Sequence, residues 1–177
     1  MSDHRSVRRH SERKNIKRKG RSLQRQRALD VLFEADIRGF GIEKTRHLLI
    51  DREEISTAQQ PIQEYGARIV TEFLEHNDNV DSMIDAASPQ WALHRMSAVD
   101  RNILRIATAE LMFLDVERPI AVKEAASLAR EFSAEKSVPF IMGVLNRVAD
   151  IYELETSGTG FEETQILGES PLDKSEM

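Results

Sequence analysis

From Val99 to Tyr152 the apolar positions recur at helical spacing, and this stretch predicts three amphipathic helices. Val99, Ile103, Ile106, Ala107, Leu111 and Leu114 make the first stripe, and Val122, Ala125, Ala126, Ala129 and Phe132 the second. Phe140, Ile141, Val144, Leu145, Val148 and Tyr152 make the third. Asp115 to Pro119 cannot continue the first helix, and a polar turn from Ser133 to Pro139 interrupts the second. Each helix has one face to bury, so together they form a core around which the rest of the chain is organised.

Upstream, Leu23, Arg27, Ala28, Val31, Leu32 and Ala35 set out another amphipathic helix, with Ser22 as its N-cap and Gly39-Phe40-Gly41 as its end. Ile42 to about Ile50 reads as the next helix, and Asp51 to Gln60 suits a short loop or a frayed helical turn equally well. Pro61 fits the first position of a helix that turns Ile62, Tyr65, Ile69, Val70, Phe73 and Leu74 inward and ends near His76-Asn77. Asn79 to Ala87 offers Val80, Ile84 and Ala87 before Ser88-Pro89 stops it, and Trp91, Leu93 and Met96 lie in a connector expected to pack on the core. No strand-like alternation occurs, so the expected class is all-α, with about seven helices.

Composition refines this into one domain with tails, because 177 residues can bury a proper core without disulfides or metal. Residues 1–20 are Ser, Arg, Lys and His with hardly any apolar side chain, and are expected to be a disordered basic arm; 21–154 form the helical domain. Residues 155–177, with Glu155, Glu162, Glu163, Glu169, Asp173 and Glu176 against Lys174, are expected to be a disordered acidic tail. The net charge of −5 conceals an asymmetry: residues 1–27 hold eleven Lys or Arg against Asp3 and Glu12. Such a split suggests a polyanionic partner for the arm, although a solvated tail fits the composition equally well. The absence of cysteine excludes disulfides, thiolate metal sites and cysteine nucleophiles, and suits the cytoplasm. No long apolar run marks a secretory signal or a transmembrane helix, so no membrane partner is expected.

Catalytic signals are weak. His4, His10, His47, His76 and His94 are expected to lack any i, i+4 pairing with a carboxylate or HExxH pattern, which makes metal ligation improbable. Gly39-Phe40-Gly41 lacks the strand and helix context of a phosphate loop, and Asp100, Glu110 and Glu124 are expected on solvated faces or as caps. Glu124 and Arg130 should face solvent, and Gly143, costly inside a helix, should be compensated by close helix packing. No catalytic residue, metal or cofactor is assigned, and an enzyme is not expected. Arg21, Arg25 and Arg27 sit where positive charge opposes the helix dipole, a placement that suits an external anion or chance solvation.

The order DRNILRIATAEL, a short Pro-containing loop, AVKEAASLAREF, a polar turn and FIMGVLNRVA resembles the C-terminal half of the NusB transcription antitermination family. With a weaker N-terminal match the resemblance covers roughly residues 21 to 152. It implies a compact helical bundle of two small subdomains. It also implies single-stranded boxA RNA held by the N-terminal arginines Arg21, Arg25 and Arg27, by an aromatic at Phe33, and by Lys136, Ser137 and Phe140 at the start of the last long helix. This combination suits single strands, since arginines follow phosphates and aromatic rings stack on bases. Taken without the family, core packing is the better account of Phe33 and Phe140.

The chain departs from the family pattern at Lys136, where relatives commonly carry an acid, at Pro139, where they carry a basic residue, and at Met142, where they carry asparagine. Leu23 and Gln24 also stand where relatives are often basic. RNA binding is therefore expected to be more electrostatic through the arm and less sequence-selective through the helix. The Asp100-Arg101 pair is shared with the family and is assigned to structure. The implied function is a non-enzymatic factor that binds boxA RNA of ribosomal RNA transcripts with the small-subunit ribosomal protein NusE. With other Nus factors it would help RNA polymerase pass terminators. The alternative is a helical homodimeric adaptor without RNA binding.

Overall fold

The computed structural model describes residues 17–54 and 61–165; the arm through residue 16, residues 55–60 and the tail from residue 166 lie outside the described residues. Helices α1 (Gly20–Ile37), α2 (Ile42–Glu54), α3 (Glu64–Glu75), α4 (Asn77–Ala87), α5 (Ala98–Phe113), α6 (Arg118–Phe132) and α7 (Ser137–Gln165) follow in order, with a 3-10 turn at Leu93–Arg95. The class is all-α, with the expected seven helices among the described residues.

Helices α1, α2 and α3 pack on one another, α4, α5, α6 and α7 do the same, and α5 joins the two groups by lying against α1 and α3. Ile103, Leu104, Ile106 and Ala109 of α5 are essentially sealed from solvent, as are Val144 and Leu145 of α7 and Ile69 and Val70 of α3. The organising stretch is therefore central in space as well as in pattern.

Several helix ends fall differently from expectation. Helix α1 starts at Gly20, not after a Ser22 cap: Lys19 is extended and Gly20 takes a left-handed φ of 55°, which turns the chain into the helix. Its other end is the anticipated glycine stop, with Gly39 at φ 67°, Phe40 N–H donating to the Ala35 carbonyl and Gly39 N–H to the Asp36 carbonyl. Pro61 does not open α3, whose N-cap is Gln63; the Gln63 N–H donates instead to Gln24 Oε1 at 2.7 Å. Pro139 lies within the first turn of α7 and not in the break before it, where its missing N–H costs no helical bond. Beyond Glu155 α7 continues to Gln165, and Thr156 and Ser157 hydroxyls bond back to carbonyls of Tyr152 and Glu153. Propagating an existing helix needs little support, which is why this stretch persists although Leu154 is 74 % exposed.

Candidate nucleic-acid interface

Arg21 and Arg25 share a face of α1 beside the Tyr65 ring, their guanidinium carbons 4.5 and 5.5 Å from its centre, whereas Arg27 turns to Asp30. Arg21 is exposed. Arg27, half-buried, lies 3.4 Å from Asp30, and its Nε is buried without a hydrogen-bond partner among the described residues. Arg25 falls on the same stripe as Ala28, Leu29 and Leu32 and is carried into the interior, only 4 % exposed. Its Nε donates to both Glu110 oxygens, at 2.8 and 3.0 Å, and Nη1 lies 3.6 Å from Glu124.

Glu110 corrects the expectation of a solvated carboxylate: it is 1 % exposed, in the last turn of α5. Burial pushes its carboxyl above the ordinary range, with Arg25 opposing the shift. Burial also works against the charged Arg25 guanidinium, but Glu110 outweighs it and holds Arg25 in its charged form. Glu124 is not a solvated residue either, since it completes this group at the edge of α6.

At the other end of α1, Phe33 is 36 % exposed, so it is not a core ring. One turn further, Asp36 accepts from Arg101 Nε at 2.8 Å and from Asn102 Nδ2 at 2.9 Å, pinning α1 to the first turn of α5. The neighbouring Asp100 caps nothing itself; Ser97 caps α5 by accepting from the Asp100 N–H. The Asp100 carboxylate accepts from Ser133 Oγ and from Ser137 Oγ, the latter at 2.7 Å. It thereby ties down both ends of the α6–α7 turn, where Lys136 stands exposed. Ser137 is a strut of this turn, 9 % exposed, with its hydroxyl occupied. Phe140, half-buried, meets the Trp91 ring at 6.2 Å and a tilt of 52°.

Asp36, bound by Arg101 and Asn102, and Asp100, bound by Ser133 and Ser137, join α1 and the α6–α7 turn to the start of α5, and Phe33, Lys136 and Phe140 belong to the segments so joined. An exposed ammonium group and aromatic rings of partial or full exposure are chemistry for a phosphate chain whose bases are free to stack. Trp91 adds a large exposed surface, 54 % accessible, although the sequence pattern placed it on the core; Leu93 and Met96 of that connector are buried as expected.

The expectation for Gly143 is corrected, and Gly66 takes the role it was given. A Cβ at Gly143 would meet nothing closer than Arg147 Nη1 at 3.7 Å, so no close packing explains it. A Cβ at Gly66 would lie 2.8 Å from Ile62 Cγ1 and Gln24 Oε1 and 2.9 Å from the Gln24 carbonyl oxygen. The close helix crossing is thus α1 on α3. The histidine expectation is also corrected: His76 does stand i, i+4 to Glu72, at 3.5 Å, and Glu72, Glu75 and His76 bring ligand atoms within 4.8 Å of one another. Its ring is stacked on Phe113 at 4.0 Å. Among the described residues no helix is long and apolar enough to cross a membrane.

The profile of the NusB family matches residues 22–150. The transcription antitermination protein NusB of Kineococcus radiotolerans is 40 % identical over 130 residues, 73 % of this chain and 92 % of that protein. Among solved structures, T. maritima NusB superposes with a TM-score of 0.63 at 29 % identity, covering 76 % of this chain and 93 % of that one. A chain in the crystal structure of antitermination factors NusB and NusE in complex with dsRNA gives a TM-score of 0.61 at 27 % identity, covering 75 % of this chain and 97 % of that one. By sequence over most of its length and by fold, the chain belongs to the NusB family of transcription antitermination proteins.

Proposed function

We propose that the chain binds boxA-type single-stranded RNA of ribosomal RNA transcripts together with NusE, and acts in the cytoplasm with other Nus factors to carry RNA polymerase past terminators. The observation that carries this reading is the clamped α6–α7 turn, which leaves Lys136 exposed and Phe140 partly exposed at the start of α7, in a chain of the NusB family. The solved assembly of NusB and NusE with dsRNA supports RNA and NusE in general as partners. A single strand is favoured over a duplex because rings stack only on bases that are not already stacked. Arg21, Arg27 and Lys136 contact phosphates, and Phe33 and Phe140 contact bases. Arg25 and Ser137 act from beneath, as supports of α1 and of the turn.

Titration of labelled boxA-like RNA with the protein, alone and with NusE, tests the reading. Binding that weakens with salt and tightens when NusE is added is expected. No binding in either arm removes the antitermination reading and favours a helical adaptor.

A further inference from the structure

Trp91, the chain's single tryptophan, is 54 % exposed in the connector between α4 and α5. The backbone beneath it is held on both sides. The Trp91 N–H donates to the Ser88 carbonyl at 3.1 Å, and the Ser88 hydroxyl donates to the Trp91 carbonyl at 2.9 Å. Asp85 Oδ1 accepts from the Leu93 N–H at 2.8 Å, and Arg101 Nη1 donates to the carbonyls of Leu93 and Met96 at 3.3 and 3.0 Å. Arg147 Nε, from α7, donates to the Ala87 carbonyl at 2.6 Å, while Leu93 and Met96 are buried. A connector so fixed presents its indole in a set position, and little freedom is lost when something covers the ring.

The Trp91 ring stands beside Phe140, with centroids 6.2 Å apart and planes at 52°. Rings at that tilt do not sandwich one flat partner, because stacking needs near-parallel faces. They suit two flat groups on a flexible link, which is what successive bases of a single strand are. Lys136 is exposed on the turn that leads into Phe140. Around Trp91 the exposed sequence neighbours are Pro89, Gln90, His94 and Arg95, with neither an acid nor a large apolar side chain among them. The Asp85 carboxylate is taken up by the Leu93 N–H. A protein anchor sits instead among apolar side chains that exclude water, so these surroundings favour a nucleic acid.

We propose that Trp91 is a base-stacking residue that extends the single-strand site: one base lies on its indole while a neighbouring base lies on Phe140. The inference deepens the RNA-binding reading above and rests on it.

With a single tryptophan in the chain, intrinsic emission reports this contact directly. Emission is followed with unlabelled boxA-like RNA, and affinity by the anisotropy of the same RNA carrying an end label. A stacked base should quench the indole, and Trp91→Leu should weaken binding by about five- to a hundredfold with the salt slope unchanged. Trp91→Phe keeps an aromatic face and should recover most of the loss. Melting temperatures should change little, since the ring is already largely exposed. A series of RNAs with one abasic position each identifies the base. At one position its removal should weaken binding to the unmodified protein, weaken binding to Trp91→Leu no further, and abolish the quench.

Equal affinity of Trp91→Leu and the unmodified protein, or emission that RNA binding leaves unchanged, overturns the stacking role and leaves the RNA reading standing. If Trp91→Leu binds RNA normally on its own but loses the tightening by NusE, the indole is a protein contact and the inference is overturned as well. No RNA binding by the unmodified protein removes the RNA reading and this inference with it.

Discussion

Replacing either member of the Arg25–Glu110 pair alone leaves the other charge without compensation between α1 and α5, where the two side chains are 5 % and 1 % exposed. Arg25→Met or Glu110→Leu should each lower unfolding free energy by about 3–5 kcal/mol, measured by urea denaturation, while the double variant Arg25→Met/Glu110→Leu should regain most of that. The double variant should also bind RNA with an unchanged salt slope; a smaller slope would return Arg25 to the phosphate contacts. The glycines make a second pair of opposite expectations. Gly66→Ala forces a methyl against the Gln24 backbone carbonyl, which cannot move without moving α1, and should cost about 1–3 kcal/mol. Gly143→Ala meets only the Arg147 guanidinium at an ordinary 3.7 Å and should add about 0.5–1 kcal/mol through helix propensity. Thermal melts of the two variants in opposite directions would confirm that the tight crossing is α1 on α3.

The junction of α1 with α5 depends on charge, and so on pH. Burial alone raises the Asp36 carboxyl, but hydrogen bonds from Arg101 and Asn102 and the Arg101 and Arg105 charges outweigh it and hold it below the usual carboxylate range. Glu34, between Arg52 and Arg38, is lowered in the same way. A lowered carboxyl means that the unfolded chain binds the proton more readily than the folded one. Stability from Asp36 is thus complete above its unfolded pKa of about 3.9 and is lost as pH falls through the folded value. Urea midpoints followed downward from about pH 6 should fall more steeply below about pH 4 in the unmodified protein than in Asp36→Asn, which lacks the titrating group. Parallel profiles would mean that Asp36 does not hold α1 to α5. The same contacts hold the helix that carries Phe33, so loss of Asp36 should reach RNA affinity as well.

For the whole molecule, cations and rings should separate in their response to salt. Arg21→Ala, Arg27→Ala and Lys136→Ala, if each removes one phosphate contact, should each lower the slope of log affinity against log salt by roughly 0.7, whatever the RNA sequence. Phe33→Leu and Phe140→Leu keep most of the apolar burial and give up stacking worth about 1–3 kcal/mol per base, so affinity should fall with the slope intact. Phe33, already 36 % exposed, should leave the melting temperature unchanged. A lower melting temperature with unchanged affinity would make either ring a packing residue.

The helices, their order and most of their inward faces were legible along the chain, because helical periodicity and glycine or proline stops are local properties of neighbouring residues. Ile69, Ile84, Ile103 and Val144 lie where their stripes placed them, sealed from solvent. The charged residues were not legible in this way. Arg21, Arg25 and Arg27 look equivalent in sequence, but only α5, eighty-five residues from Arg25 at Glu110, decides that one of them is a buried strut. Glu110 and Ser137 were misplaced for the same reason, since each takes its role from a partner on another helix. Gly66 and Gly143 carry the same lesson at the backbone, where only the distance between helices distinguishes a required glycine from a replaceable one. Sequence thus determined which segments are helices and which faces they bury. The tertiary structure decided which charges are already spent on one another and which stay at the surface, because pairing over long separations depends on helix crossings that no local pattern records.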